Sequence, residues 1–140
     1  MNLVLTQLDN AIGTLTLNRP EKHNSISSEL AADLIAGLDL MEQAQVRVVI
    51  IRAAPGSKVW SAGFDITELP VRRRDPLGYE DALERLLRRV QDFPSPIIAM
   101  VEGSVWGGAC EADGVVHLPS NFFTNTVKNA LIGQFRCKKT

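Results

Sequence analysis

Two stretches rich in small residues are the places where this chain could do chemistry: Ser61-Ala62-Gly63-Phe64-Asp65 and Glu102-Gly103-Ser104-Val105-Trp106-Gly107-Gly108-Ala109-Cys110-Glu111. Each follows an apolar run and is placed to open a helix. At such a start the backbone N–H groups lack intrahelical partners and the helix dipole presents its positive end. Glycine lets a ligand approach the backbone closely. Two such turns brought together could aim two N–H groups at one oxygen, which is an oxyanion hole. The same glycines, Gly63 and Gly107-Gly108, also suit plain strand-to-helix turns, and spacing alone does not separate the two readings.

The other reactive side chains have ordinary roles open to them. Asp65 fits the N-cap of a short following helix better than a catalytic acid. Val59-Trp60-Ser61-Ala62-Gly63 narrowly misses the G-x-S-x-G nucleophile turn, because Val59 stands in the first glycine's place, so Ser61 is not expected to be a hydrolase nucleophile. Cys110 and Cys137 form no CxxC pair and no metal-ligand spacing with His23 or His117, so no metal is expected. Trp60 and Trp106 are expected to pack beside the site. Arg72-Arg73-Arg74 reads as a solvated run, with phosphate contact as the alternative.

Elements that could position these turns alternate along the chain. Leu3-Val4-Leu5 and Ile12 to Leu17 are β-prone runs around Asp9-Asn10, which predicts a hairpin. Ser27 or Ser28 can cap a helix whose apolar face carries Leu30, Leu34, Leu38 and Met41. Arg47 to Ala53 is a continuous apolar run suited to a buried parallel strand. A second helix places Tyr79, Leu83, Leu86, Leu87 and Val90 on one face and ends at Pro94 and Pro96; Ile97 to Val101 is then another buried strand. Hairpin, helix, strand, helix, strand predicts an α/β domain with crossover connections.

Composition sets the bounds. The 140 residues, 45% hydrophobic and 22% charged, fit one globular domain. A net charge of −1 leaves no basic surplus for a nucleic-acid partner. No apolar run reaches the ~18 residues of a membrane span, and the first residues carry no secretory pattern. A cytoplasmic location is the default expectation.

Three motifs then carry a resemblance. Ser61-Ala62-Gly63-Phe64-Asp65-Ile66 resembles the S/C-A-G-x-D-[ILV] signature of the enoyl-CoA hydratase/isomerase (crotonase) superfamily. Gly103-Ser104-Val105-Trp106-Gly107-Gly108-Ala109-Cys110-Glu111 resembles its G-x-x-x-G-G-[GA]-x-E signature. Asn18-Arg19-Pro20 with Asn24-Ser25-Ile26 is similar to its early N-R-P…N-[AS]-[LIM] loop. Within the superfamily, Gly56 to Gly63, Arg74 to Leu77 and Glu102 to Gly108 most resemble methylmalonyl-CoA decarboxylases.

The resemblance implies the N-terminal part of a crotonase-like spiral of ββα units. It also implies a coenzyme A thioester as substrate, with no separate cofactor. By motif position the thioester oxygen would lie between the backbone N–H groups of Phe64 and Gly108, stabilising an enolate. Ala62, Gly63, Phe64, Asp65 and Ile66, with Gly107 and Gly108, would line the thioester and pantetheine; Lys22, His23, Asn24 and Ile26 would lie toward the nucleotide. Glu111 matches the first of two hydratase glutamates and would be a general acid/base or a plain carboxylate near a helix start; no match to the second is seen. Decarboxylation needs no general base, which makes it the leading expectation. Hydration or isomerisation is the alternative, and an inactive fragment that binds CoA weakly or associates with a full-length relative is the other.

Family members usually form trimers or hexamers and run to nearly twice this length. The resemblance covers about residues 2–111, so that 1–111 would be the N-terminal part of the acyl-CoA-binding domain; residues 112–140 match nothing in it and read as a divergent tail on a truncated chain.

Overall fold

The computed structural model describes residues 2–68 and 82–105. Trp106, Gly107, Gly108, Glu111, Tyr79, Arg72 to Arg74, Cys110, His117, Cys137 and the tail at 112–140 lie outside the described residues.

Strands β1 (Val4–Asp9) and β2 (Ile12–Leu17) form the expected antiparallel hairpin, registered from Val4↔Leu17 to Asp9↔Ile12. Asn10 turns it at φ 54°, a left-handed conformation that asparagine tolerates better than most residues. Helix α1 (Ser28–Gln43) begins at Ser27, whose hydroxyl accepts from the Leu30 N–H at 3.1 Å. Leu30, Leu34, Leu38 and Met41 are all buried, as their spacing predicts. The helix crosses over so that β3 (Val48–Ala53) runs parallel to β2.

After β3 comes an element the periodicity did not reveal. β4 (Val59–Ser61) leaves the first sheet and pairs in parallel with β6 (Ser104–Val105), making a separate two-stranded sheet. Between them lie α2 (Ala82–Gln91) and β5 (Ile97–Met100), which extends the first sheet in the order β1-β2-β3-β5. Successive windings therefore run sheet strand, second-sheet strand, helix: β3, β4, α2, then β5, β6. A lone parallel bridge between Ile26 and Phe64 gives the first winding, β2 to α1, the same plan.

The core lies between the first sheet and the helices. Leu15, Leu30, Leu38 and Val49 have no exposed surface, and Leu83 and Leu86 bury the apolar face of α2 against them. Arg89 of α2 ties the two helices, pairing with Asp39 at 2.9 Å and with Glu42, and lies 5.3 Å over the Phe93 ring. The chain leaves the ends of β3 and β5 for the β4–β6 pair.

Gly103 shows how close those ends come. It sits at φ +87°, and a Cβ there would meet the Lys58 carbonyl oxygen at 2.3 Å. Gly56, at φ +80°, has nothing within 4 Å of such a Cβ. Both alanine substitutions carry the left-handed cost of about 1–2 kcal/mol. Gly103→Ala is expected to add about 1–3 kcal/mol, because backbone must shift to admit the methyl. Urea unfolding of the two variants side by side isolates that difference.

Candidate active site

The early polar loop is built to fasten itself to the end of β4. A 3-10 turn, Pro20–Lys22, is followed by His23 and Asn24, both at φ 51°. The Asn24 carboxamide, 3% exposed, accepts from the Arg19 N–H at 2.9 Å and donates to the Trp60 carbonyl at 3.1 Å. The backbone carbonyl of Asn24 accepts from the Ser61 hydroxyl at 2.8 Å. Asparagine suits this position twice over: it accepts the left-handed backbone, and it supplies one acceptor and one donor to two chain segments.

Residues 61–65 are laced to that loop amide by amide. The Ala62 N–H donates to the His23 carbonyl at 2.9 Å, and the Gly63 N–H to the Ser61 hydroxyl at 3.2 Å. Ile26 clamps the next two peptides: its N–H donates to the Gly63 carbonyl at 2.7 Å, and its carbonyl accepts from the Asp65 N–H at 2.9 Å. Among the described residues the Phe64 N–H donates to no acceptor. A trans peptide points its N–H away from its C=O. Anchoring the Gly63 carbonyl on Ile26 therefore aims the Phe64 N–H away from the bridge.

Asp65 locks the far end of the turn. Its carboxylate takes the Arg19 guanidinium at 2.8 Å and accepts from the Thr67 hydroxyl at 2.7 Å and the Thr67 N–H at 3.1 Å, capping the 3-10 turn Ile66–Glu68. Arg19 also donates to the Ser25 carbonyl and hydroxyl, each at 3.1 Å. The hydrogen bonds from Thr67 and from Arg19 hold the Asp65 carboxyl down at about 2, from an ordinary 3.8. Its folded pKa lies below its unfolded one, so the charge contributes its full stability above about pH 4 and loses it as pH falls toward 2. Acid unfolding followed by circular dichroism is expected to shift to higher pH in Thr67→Val, which deletes the largest of those stabilising contacts.

Downstream, the Glu68 carboxylate accepts from the Ser28 N–H at 2.8 Å and the Ser28 hydroxyl at 2.7 Å, so this turn also caps the start of α1. No local pattern marks Arg19 or Glu68 as a partner of these segments. Their spacings of 46 and 40 residues leave no local signal, although Arg19 stands inside the early-loop motif.

Of the residues expected to line a thioester site, the structure brings His23, Asn24 and Ile26 against Ala62, Gly63, Phe64 and Asp65. Asn24, Ile26 and Asp65 are buried, which leaves Lys22 and His23 as exposed side chains of the early loop. Gly107, Gly108 and Glu111 lie outside the described residues. Ser61 has no exposed surface, so its hydroxyl is not presented to a ligand. Ile26, Trp60 and Ser61 also line an apolar cavity of about 40 Å³ with Leu34, Leu86 and Ile97. It is far smaller than the roughly 300 Å³ and more of a ligand pocket. Among the described residues no cluster of three metal-ligating side chains occurs, and no helix is long and apolar enough to cross a membrane.

Methylmalonyl-CoA decarboxylase of Escherichia coli (strain K12) is 43% identical over 124 residues, covering 86% of this chain and 48% of that protein. A probable enoyl-CoA hydratase of Bacillus subtilis (strain 168) is 32% identical over 125 residues, covering 84% of this chain and 46% of that one. The crystal structure of a methylmalonyl-CoA decarboxylase complexed with 2S-carboxypropyl-CoA superposes with a TM-score of 0.79 at 43% identity, over 84% of this chain and 45% of that structure. The chain thus spans a little under half the length of these relatives. The family described as enoyl-CoA hydratase/isomerase matches residues 7–116. With that match over most of its length and a crotonase fold shared with its structural neighbours, the chain belongs to the enoyl-CoA hydratase/isomerase family.

Proposed function

We propose that the chain carries the thioester-binding half of an acyl-CoA lyase that decarboxylates a methylmalonyl-type CoA thioester. The observation that carries the reading is the Phe64 N–H: its neighbours at 62, 63 and 65 are all spent on internal acceptors, whereas it donates to none among the described residues. A thioester oxygen accepting from it would gain charge as the reaction proceeds. The second donor in this reading is the Gly108 N–H.

In the reaction the bond between the α-carbon and the carboxylate breaks and CO₂ leaves. The electron pair flows into the thioester, giving an enolate whose oxygen sits on the two amides, and a proton from solvent then completes propionyl-CoA. Catalysis lies in binding that oxyanion more strongly than the starting carbonyl. No general base is needed. Asp65 is not free to act as one, since it is committed to Arg19 and Thr67. Relatives at 43% identity that bear the decarboxylase name, one of them with a carboxypropyl-CoA ligand, support the same choice. The coenzyme enters and leaves as part of the substrate.

Incubating the purified chain in parallel with methylmalonyl-CoA and crotonyl-CoA, with mass spectrometry of products, tests this reading. Propionyl-CoA from the first and no hydrated product from the second is the expected result. Hydration alone would replace the reading with a hydratase, and inertness toward both in folded protein would leave a fragment without turnover.

A further inference from the structure

We infer that the Ser61 hydroxyl is a positioning group for the Phe64 N–H: by taking up the adjacent Gly63 N–H, it leaves Phe64 as the donor this turn presents. The inference rests on the oxyanion reading above and concerns how that donor is selected and aimed.

Ser61 has no exposed surface, yet its hydroxyl uses both of its hydrogen-bonding functions, donating to the Asn24 carbonyl at 2.8 Å and accepting from the Gly63 N–H at 3.2 Å. Burying a hydroxyl is unfavourable unless it is paired, so packing alone would be served as well by alanine. What alanine cannot do is occupy the Gly63 amide. Gly63 sits at φ +88°. A left-handed residue can turn its own N–H and the next toward one anion, as in a backbone nest. Two adjacent amides would then compete for the ligand oxygen, and the peptide between them would settle at a compromise orientation.

Two locks prevent this. The Ile26 N–H fixes the Gly63 carbonyl at 2.7 Å, which sets the plane of the Gly63–Phe64 peptide. The Ser61 hydroxyl holds the preceding amide inward and is itself held by Asn24, whose carboxamide ties Arg19 to Trp60. Only the second lock runs through a side chain, so only it can be removed without altering the backbone. Ser61 touches no ligand in this account and acts through Gly63 and Phe64.

The test is isotope-edited infrared spectroscopy of propionyl-CoA labelled with carbon-13 at the thioester carbonyl, bound to the intact chain. Wild-type protein is expected to lower the carbonyl frequency on binding, and Ser61→Ala to lose at least about half of that displacement while the dissociation constant moves less than about threefold, because the lost interaction is with the polarised carbonyl and the rest of the ligand is untouched. Ser61→Cys keeps a weak donor and acceptor in the same place, should display an intermediate band, and serves if the alanine variant does not fold. A folded variant of either kind with the carbonyl band at the wild-type position overturns the positioning role and leaves the oxyanion reading intact. Wild-type protein that binds the thioester without displacing the band overturns the oxyanion reading, and this inference with it. Failure of both variants to fold assigns Ser61 to stability alone and also overturns it.

Discussion

Deleting the Phe64 N–H, by proline substitution or by a backbone ester at that residue, is expected to lower decarboxylation of methylmalonyl-CoA by about 100-fold or more, the usual consequence of losing one oxyanion donor. Phe64→Leu, which keeps the amide and an apolar side chain of related size, should stay within about tenfold, consistent with the small cost of volume-conserving apolar swaps. The contrast separates backbone from side chain at one position. The ester matters because proline restricts the residue before it to extended conformations, and Gly63 sits at φ +88°. The ester removes the donor without that steric demand. Steady-state rates on the three variants, each checked for native circular dichroism, decide the matter.

The second large effect concerns the ion pair behind the turn. In Arg19→Leu the Asp65 carboxylate, whose side chain is 9% exposed, keeps Thr67 but loses its cation. Removing one partner of a buried pair leaves an uncompensated charge, at about 3–5 kcal/mol. The loss should therefore be large in urea unfolding. It should also be mostly recovered in Arg19→Leu/Asp65→Asn, where an amide oxygen still accepts from Thr67 and no charge is stranded. A double-mutant cycle measures the coupling, expected at about 2 kcal/mol. Additive single effects would mean that the pair is not coupled in solution. Because Asp65 follows Phe64 directly, the single variant should also weaken thioester binding, and the double variant should restore it.

Much of this arrangement is legible in the sequence. The hairpin, a serine cap at 27 or 28, the Leu30-Leu34-Leu38-Met41 face and a strand within Arg47 to Ala53 follow from local patterns that tertiary context reinforces. β4 and β6 escaped because strands of three and two residues are too short to show alternation. The ties among Arg19, Asp65, Ser28 and Glu68 escaped for a different reason: polar contacts 40 to 46 residues apart have no periodicity to betray them. At the candidate site, the motifs single out a turn, but not how its amides are distributed. That Ala62, Gly63 and Asp65 spend their N–H groups internally depends on the early loop folding back, with His23 and Asn24 in left-handed conformations that no residue type there announces as glycine would.

The central claim is that the Phe64 amide is the donor left for a thioester oxygen. Proton–nitrogen NMR of the labelled chain titrated with propionyl-CoA tests it most directly. The account predicts a downfield displacement of the Phe64 amide proton on binding, with Ala62, Gly63 and Asp65 nearly still because their hydrogen bonds are already made. A Phe64 resonance that stays in place at saturation, while its neighbours move, would contradict it.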